Sequence, residues 1–260
     1  VRKKGGDTQP RKAQQFIASR HFLQSEIGDS VNNFPREVPM NRKAINGLDR
    51  VQFSRLLDNQ AELIVAARPR NDSTATPETP DIRCFDNSLV FPGAFNPLHD
   101  GHLAMADLAS RRFQRPLWFE ISVENVDKPP LDFRQVAIRT QQVDHPYGLV
   151  LTRTPTFDRK STLFPGCIFV VGADTIERIN EPRYYQDDPG SMHESIRKIA
   201  DNGCRFLVFP RKPSKIGSAD PKIQSRGPLL ERLHALCEFV SAEEFCMEIS
   251  SSELRNRQQE

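Results

Sequence analysis

The apolar run Ser88-Leu-Val-Phe-Pro92 leads directly into Gly93-Ala-Phe-Asn-Pro-Leu-His-Asp-Gly-His102. A short buried-type run that stops at Pro-Gly and gives way to a polar segment predicts a strand, then a loop. The pattern over His102–Phe113 predicts that a helix follows. The two histidines then stand at a strand-to-helix turn. Gly93 leaves room for a ligand to approach the backbone, and Gly101 keeps the space between the histidines open. Helix amides and the helix dipole favour an anion at such a place. Three readings are open for the pair: metal ligation, phosphate binding, or two polar residues capping a turn. Zinc needs a third and usually a fourth ligand. No Cys, Asp or Glu cluster at ligand spacing supplies one, and His21, His145, His193 and His234 lie in unrelated contexts.

Working outward, short apolar runs recur at Leu117–Val123, Gly148–Thr152, Cys167–Val171 and Arg205–Phe209, with a second helical pattern at Asp132–Asp144. The alternation predicts an open α/β sheet of mostly parallel strands. Ligands in such sheets sit beyond the carboxyl ends of the strands, where the histidine pair falls. Upstream, Ala13–Glu26 and Arg50–Val65 carry weak helical periodicity. Arg68–Pro80, rich in Pro, Thr and charge, reads as a linker. The expected organisation is an extension or divergent domain remnant over 1–69, a linker over 70–86, and the α/β domain over 87–260.

Composition narrows the classes. The chain has 260 residues, 37% of them hydrophobic, enough for one sizeable core. Twenty prolines and a mean hydropathy of −0.55 point to extended portions outside it. The 36 basic and 34 acidic residues leave a net charge of +2, which argues against a nucleic-acid partner. The basic first twenty residues read as a solvated tail. No run approaches the roughly 18 apolar residues of a membrane span, and no signal-peptide pattern is present. Five cysteines without a C-x-x-C pair read as free thiols, which with the missing signals predicts a cytoplasmic protein. The opening Val1 is consistent with a start inside a longer protein.

The quoted stretch fixes six residue types in ten positions as G-x-F-x-P-x-H-x-G-H, and this resembles the signature of the HxGH nucleotidyltransferase superfamily. Ile249-Ser-Ser-Ser-Glu-Leu-Arg255 resembles that superfamily's second motif, I-S-S-T-x-I-R, with Ser252 for Thr and Leu254 for Ile. On its own, Ser-Ser-Ser-Glu is more often a plain helix capping box. Phe95-Asn-Pro97 is similar to the nicotinamide/nicotinate-mononucleotide adenylyltransferases, whereas cytidylyltransferases more often carry Phe-Asp-Leu there. The wider set, with VDKPPL, LFPG and VVGADT, resembles a branch found after a competence-damage, nicotinamide-mononucleotide deamidase type domain.

The resemblance implies a Rossmann-like, doubly wound parallel sheet and transfer of AMP from ATP to a phosphorylated acceptor, foremost a pyridine mononucleotide. The alternatives are a cytidylyltransferase acting on a phosphorylated alcohol and a nucleotide-binding module without catalysis. It implies Mg²⁺ with the ATP and no protein-held metal. His99, His102, Lys128 and Arg255 become the expected catalytic residues. Gly93, Ala94, Phe95, Gly101, Gly172, Asp174, Arg211, Ser250, Ser251 and Ser252 become expected nucleotide contacts, with Asp174 at the ribose. Asn125, Thr152 and Tyr184 are expected to meet the acceptor. One departure bears on the acceptor: the Trp-Glu pair common after the matching strand is replaced by Thr152-Arg-Thr-Pro-Thr-Phe157.

Overall fold

The computed structural model describes residues 50–69, 85–126, 129–143, 146–185, 188–210 and 227–245. The chain divides into two compact units, Val1–Arg42 and Lys43–Glu260, and every described residue belongs to the second.

The described strands are β1 (Leu63–Ala67), β2 (Leu89–Pro92), β3 (Leu117–Ser122), β4 (Gly148–Thr152), β5 (Ile168–Gly172), β6 (Arg205–Phe209) and β7 (Cys237–Phe239). They form one seven-stranded sheet in the order β1-β4-β3-β2-β5-β6-β7. All pairings are parallel except β1 with β4, which is antiparallel. The order runs outward from β2 in both directions, so the sense of winding reverses between β2 and β5. In open α/β sheets that reversal opens a crevice at the carboxyl ends of the two strands.

The helices are α1 (Arg50–Leu57), α2 (Asp100–Phe113), α3 (Phe133–Thr140), α4 (Phe157–Leu163), α5 (Ala173–Ile179), α6 (Pro189–Asp201) and α7 (Gly227–Ala235). They cover both faces because the strands are apolar on both faces, and successive side chains alternate sides. Leu89, Phe91, Phe119, Ile121, Leu149, Leu151 and Leu207 pack into one cluster, with Phe53, Leu56, Ala106, Ala109 and Val136 from α1, α2 and α3. Val90, Trp118, Val150, Phe169, Val171, Phe206 and Val208 pack into the other, with residues of α4, α5, α6 and α7. Trp118 is fully buried there and packs edge-on against Phe85, ring centroids 4.8 Å apart. A Cβ on Gly148 would stand 2.3 Å from the Trp118 ring, so that strand position admits only glycine.

The five expected strands and the helix after the histidine loop are found where the sequence places them. Upstream the structure corrects two boundaries. The periodicity over Arg50–Val65 reads as one helix, but α1 ends at Leu57 and Asn59 takes a left-handed turn (φ 62°). The chain then forms β1, whose alternating burial lays Ile64 and Ala66 on the core. β4 would otherwise present an unpaired edge, and the β-branched Ile64-Val65 pair fits a pleated surface. Among the described residues the sheet therefore begins at Leu63, inside the segment read as extension. Further on, α3 stops at Thr140, earlier than the Asp132–Asp144 pattern implies, with Asp132 as its N-cap accepting from Gln135 N at 2.7 Å. The helix expected at Ala13–Glu26 and the linker core at 70–84 lie outside the described residues.

Candidate active site at the strand switch point

β2 ends at Pro92 and hands the chain to the histidine loop at one side of the switch point. His99 occupies the N-cap position of α2 in extended conformation, and His102 sits one turn in. The two rings stack, with centroids 3.7 Å apart and 24° between planes. The backbone N–H of His99 donates to Nδ1 of His102 at 3.3 Å. An imidazole that accepts at Nδ1 carries its proton at Nε2 when neutral, so His102 is left with an Nε2–H donor. Burial, and next the charge of His99, push the His102 pKa from 6.5 down to about 3. Burial also lowers His99, against a smaller upward pull from Asp100. Nδ1 of His99 is buried without a hydrogen-bond partner among the described residues. His102 is thus held as an Nε2–H donor, with the His99 ring stacked on it, at the start of a fourteen-residue helix.

Aromatic packing holds this geometry. His102 meets the rings of Phe91 and Phe95 edge-on, at 5.9 and 5.1 Å. Phe95 is 1% exposed, with φ at 42°, and also packs against Phe119 at 5.0 Å. A left-handed non-glycine backbone costs about 1–3 kcal/mol and persists where surrounding packing over-determines it. Gln142, beyond α3, ties the loop down by accepting from Leu98 N at 2.7 Å and donating to Phe95 O at 3.5 Å.

Two expected contacts are thereby reassigned. The space a Cβ would take at Gly93 is filled by the Phe95 ring, 2.5 Å away, and the Gly93 N–H donates to Glu120 O at 2.9 Å. Gly93 serves the packing of Phe95, and its amide is committed to the sheet. The Phe95 ring lies in the core and buttresses His102. Ala94 is exposed at the loop tip and Gly101 is buried in the first turn of α2.

Across the switch point, β5 ends at Gly172 and α5 begins at Ala173. A Cβ on Gly172 would meet nothing within 4 Å, so a ligand can approach the backbone there. Asp174 lies in the first turn of α5, half-buried. The histidine pair and Gly172–Asp174 thus follow the carboxyl ends of two strands that are adjacent and parallel in the sheet.

The ends of β3 and β4 hold a polar network that sequence reasoning missed. Lys160 of α4 is buried and donates to both carboxylate oxygens of Glu120 at 2.7 Å. Thr152 Oγ1 donates to Glu120 Oε1 at 2.5 Å, and Thr154 Oγ1 donates to Thr152 Oγ1 at 2.9 Å. Desolvation lowers the Lys160 pKa while the Glu120 charge opposes it. Thr152 is fully buried in this network, so the expected acceptor contact is a structural hydroxyl instead. The available signal was a glutamate inside Leu117-Trp-Phe-Glu-Ile-Ser122: a charge in a strand buried on both faces requires a partner. Beside the network, Arg153 Nε donates to Glu124 Oε1 at 2.9 Å. Asn125, just past β3, is exposed. Tyr184 sits in a 3₁₀ turn (Pro182–Tyr185), accepts from Arg183 at 3.0 Å and carries that guanidinium 4.7 Å over its ring. Tyr185 is a packing residue whose hydroxyl donates to Ile179 O at 3.0 Å. Lys128, Arg211, Ser250, Ser251, Ser252 and Arg255 lie outside the described residues. Among the described residues, no three His, Cys, Asp or Glu gather as a metal site, and no helix is long and apolar enough to cross a membrane.

Comparison with known proteins agrees with this architecture. A family model described as cytidylyltransferase-like matches residues 90–257. The chain belongs to that family of nucleotidyltransferases. Two relatives are each called a probable nicotinate-nucleotide adenylyltransferase. The one from Gloeobacter violaceus is 30% identical over 183 residues, 65% of this chain and 82% of the relative. The one from Roseobacter denitrificans is 30% identical over 124 residues, 42% of this chain and 62% of the relative.

Proposed function

We propose that the protein transfers AMP from ATP to a pyridine mononucleotide, nicotinate mononucleotide first and nicotinamide mononucleotide second, releasing pyrophosphate. The observation that carries this reading is the stacked His99–His102 pair with its Nε2 donor, set beside the switch point of the sheet. The names of the two relatives favour the adenylyl group and the pyridine acceptor.

An oxygen of the acceptor phosphate forms the new bond to the α-phosphorus of ATP. The bridge between the α- and β-phosphates breaks, and pyrophosphate leaves. The attacking oxygen is already anionic, so no general base is required. Catalysis then rests on in-line positioning and on donors aimed at charge that develops in flight. His102 directs Nε2–H at that charge and His99 flanks it. Lys128, Ser251, Ser252 and Arg255 would hold the remaining phosphate oxygens, with Arg255 able to donate in parallel. Gly172 and Asp174 would take the ribose. Mg²⁺ enters with the triphosphate and offsets its charge. A cytoplasmic setting, with ATP and reduced thiols, suits this chemistry.

Pyrophosphate release measured with Mg²⁺-ATP and Mg²⁺-CTP, against each mononucleotide, tests the reading. Release with ATP and a mononucleotide, reduced roughly 10²–10³-fold in His102→Ala with the fold intact, is the expected result. Release with CTP alone would move the chain to cytidylyl transfer. ATP binding without turnover on any phosphorylated acceptor would make it a non-catalytic module.

A further inference from the structure

A cleft of about 430 Å³ lies at the opposite end of the strands. Its wall is built from Phe113 and Arg115 at the end of α2 and from the residues that begin β5, β6 and β7. These are the amino-terminal ends of parallel strands, so the cleft lies across the sheet from the histidine pair. The volume falls within the range of small-molecule sites, roughly 300–1,000 Å³.

Arg115 and Arg205 both line the cleft, and neither has a carboxylate partner among the described residues. Glu238 is the acidic group in the wall; it pairs with Arg112 at 2.9 Å, a guanidinium that also meets Glu244 at 3.4 Å outside the cleft lining. Arg115 lies 6.0 Å over the Phe113 ring, and its charge opposes the upward shift that burial imposes on the neighbouring Cys167 thiol. Gly166 and Gly203, both at φ 70°, leave the floor bare. A Cβ on Gly166 would meet nothing within 4 Å, and the nearest atom to one on Gly203 is the Gly166 Cα at 3.7 Å. The cleft therefore combines two guanidiniums with no carboxylate partner among the described residues, an open floor, and apolar wall residues Phe113, Ile168 and Phe206.

We propose that this cleft binds a small organic phosphate monoester, its phosphate on Arg115 and Arg205 and its apolar body against Phe113. Guanidinium forks match a phosphate in geometry as well as charge, and a doubly charged oxyanion offsets both of them. The site is separate from the proposed reaction centre and needs none of its residues.

Amide resonances followed by NMR while phenyl phosphate is titrated into the intact chain test this directly. Saturable shifts at Gly166 and Gly203 are expected, unchanged in His102→Ala and requiring at least tenfold more ligand in the double variant Arg115→Ala/Arg205→Ala. The double variant should release pyrophosphate at the unmodified rate, so failure of this site and failure of the transferase reading give different results. No shift at the two glycines, or the same titration in the double variant, would overturn the proposal. Equal affinity for inorganic phosphate would overturn the assignment of an organic ester.

Discussion

His102 couples the loop's geometry to acidity. Its Nδ1 is occupied by the His99 amide, and its ring is enclosed by Phe91, Phe95 and His99. Its pKa falls from 6.5 to about 3 on folding, so between those values the unfolded chain binds the extra proton. Stability from this residue is complete above about pH 6.5 and drains away as pH falls toward 3. Urea unfolding between pH 7 and 4 should show a shallower acid loss for His102→Gln than for the unmodified chain. An identical slope would mean that His102 is not held neutral. The histidine pair was legible in sequence because six residue types in ten positions coincide with a strand-to-helix turn. The role of Gly93 was not. Its need for no side chain comes from the Phe95 ring, whose direction follows from a left-handed backbone that no local pattern announces.

At the scale of elements, β3, β4 and α4 are fastened by Glu120, Thr152 and Lys160. Removing one partner strands the other charge in a dry interior, which costs about 3–5 kcal/mol. Lys160→Met should therefore lower the unfolding free energy by about that much, read from the urea midpoint, and a loss under 1 kcal/mol would show the pair to be wet. Thr152 illustrates what strand prediction leaves out. The Gly148–Thr152 run identified the strand correctly, yet the hydroxyl's purpose depends on a glutamate 32 residues earlier and a lysine 40 residues beyond that glutamate. Likewise β1 escaped notice because five apolar residues beside a helical pattern extend that pattern as readily as they begin a strand.

For the molecule as a whole, the sheet is legible because its central strands are apolar on both faces and separated by helices. Its edge is less so, since β1 pairs antiparallel and precedes the motif-bearing segment. A chain starting at residue 70 would leave the outer edge of β4 unpaired and lose the burial of Phe53, Leu56 and Ile64, on the order of 1.5–3 kcal/mol for each. Such a truncation should unfold at distinctly lower urea and aggregate through the open edge, as light scattering would register; unchanged stability would place β1 outside the cooperative unit. Inheritance sees the molecule differently again. Glu120 and Lys160 stand 40 positions apart, yet an apolar couple could replace them only if both codons changed together. Each single replacement would leave a charge alone in the interior, so a change at either position is expected to call for a change at the other.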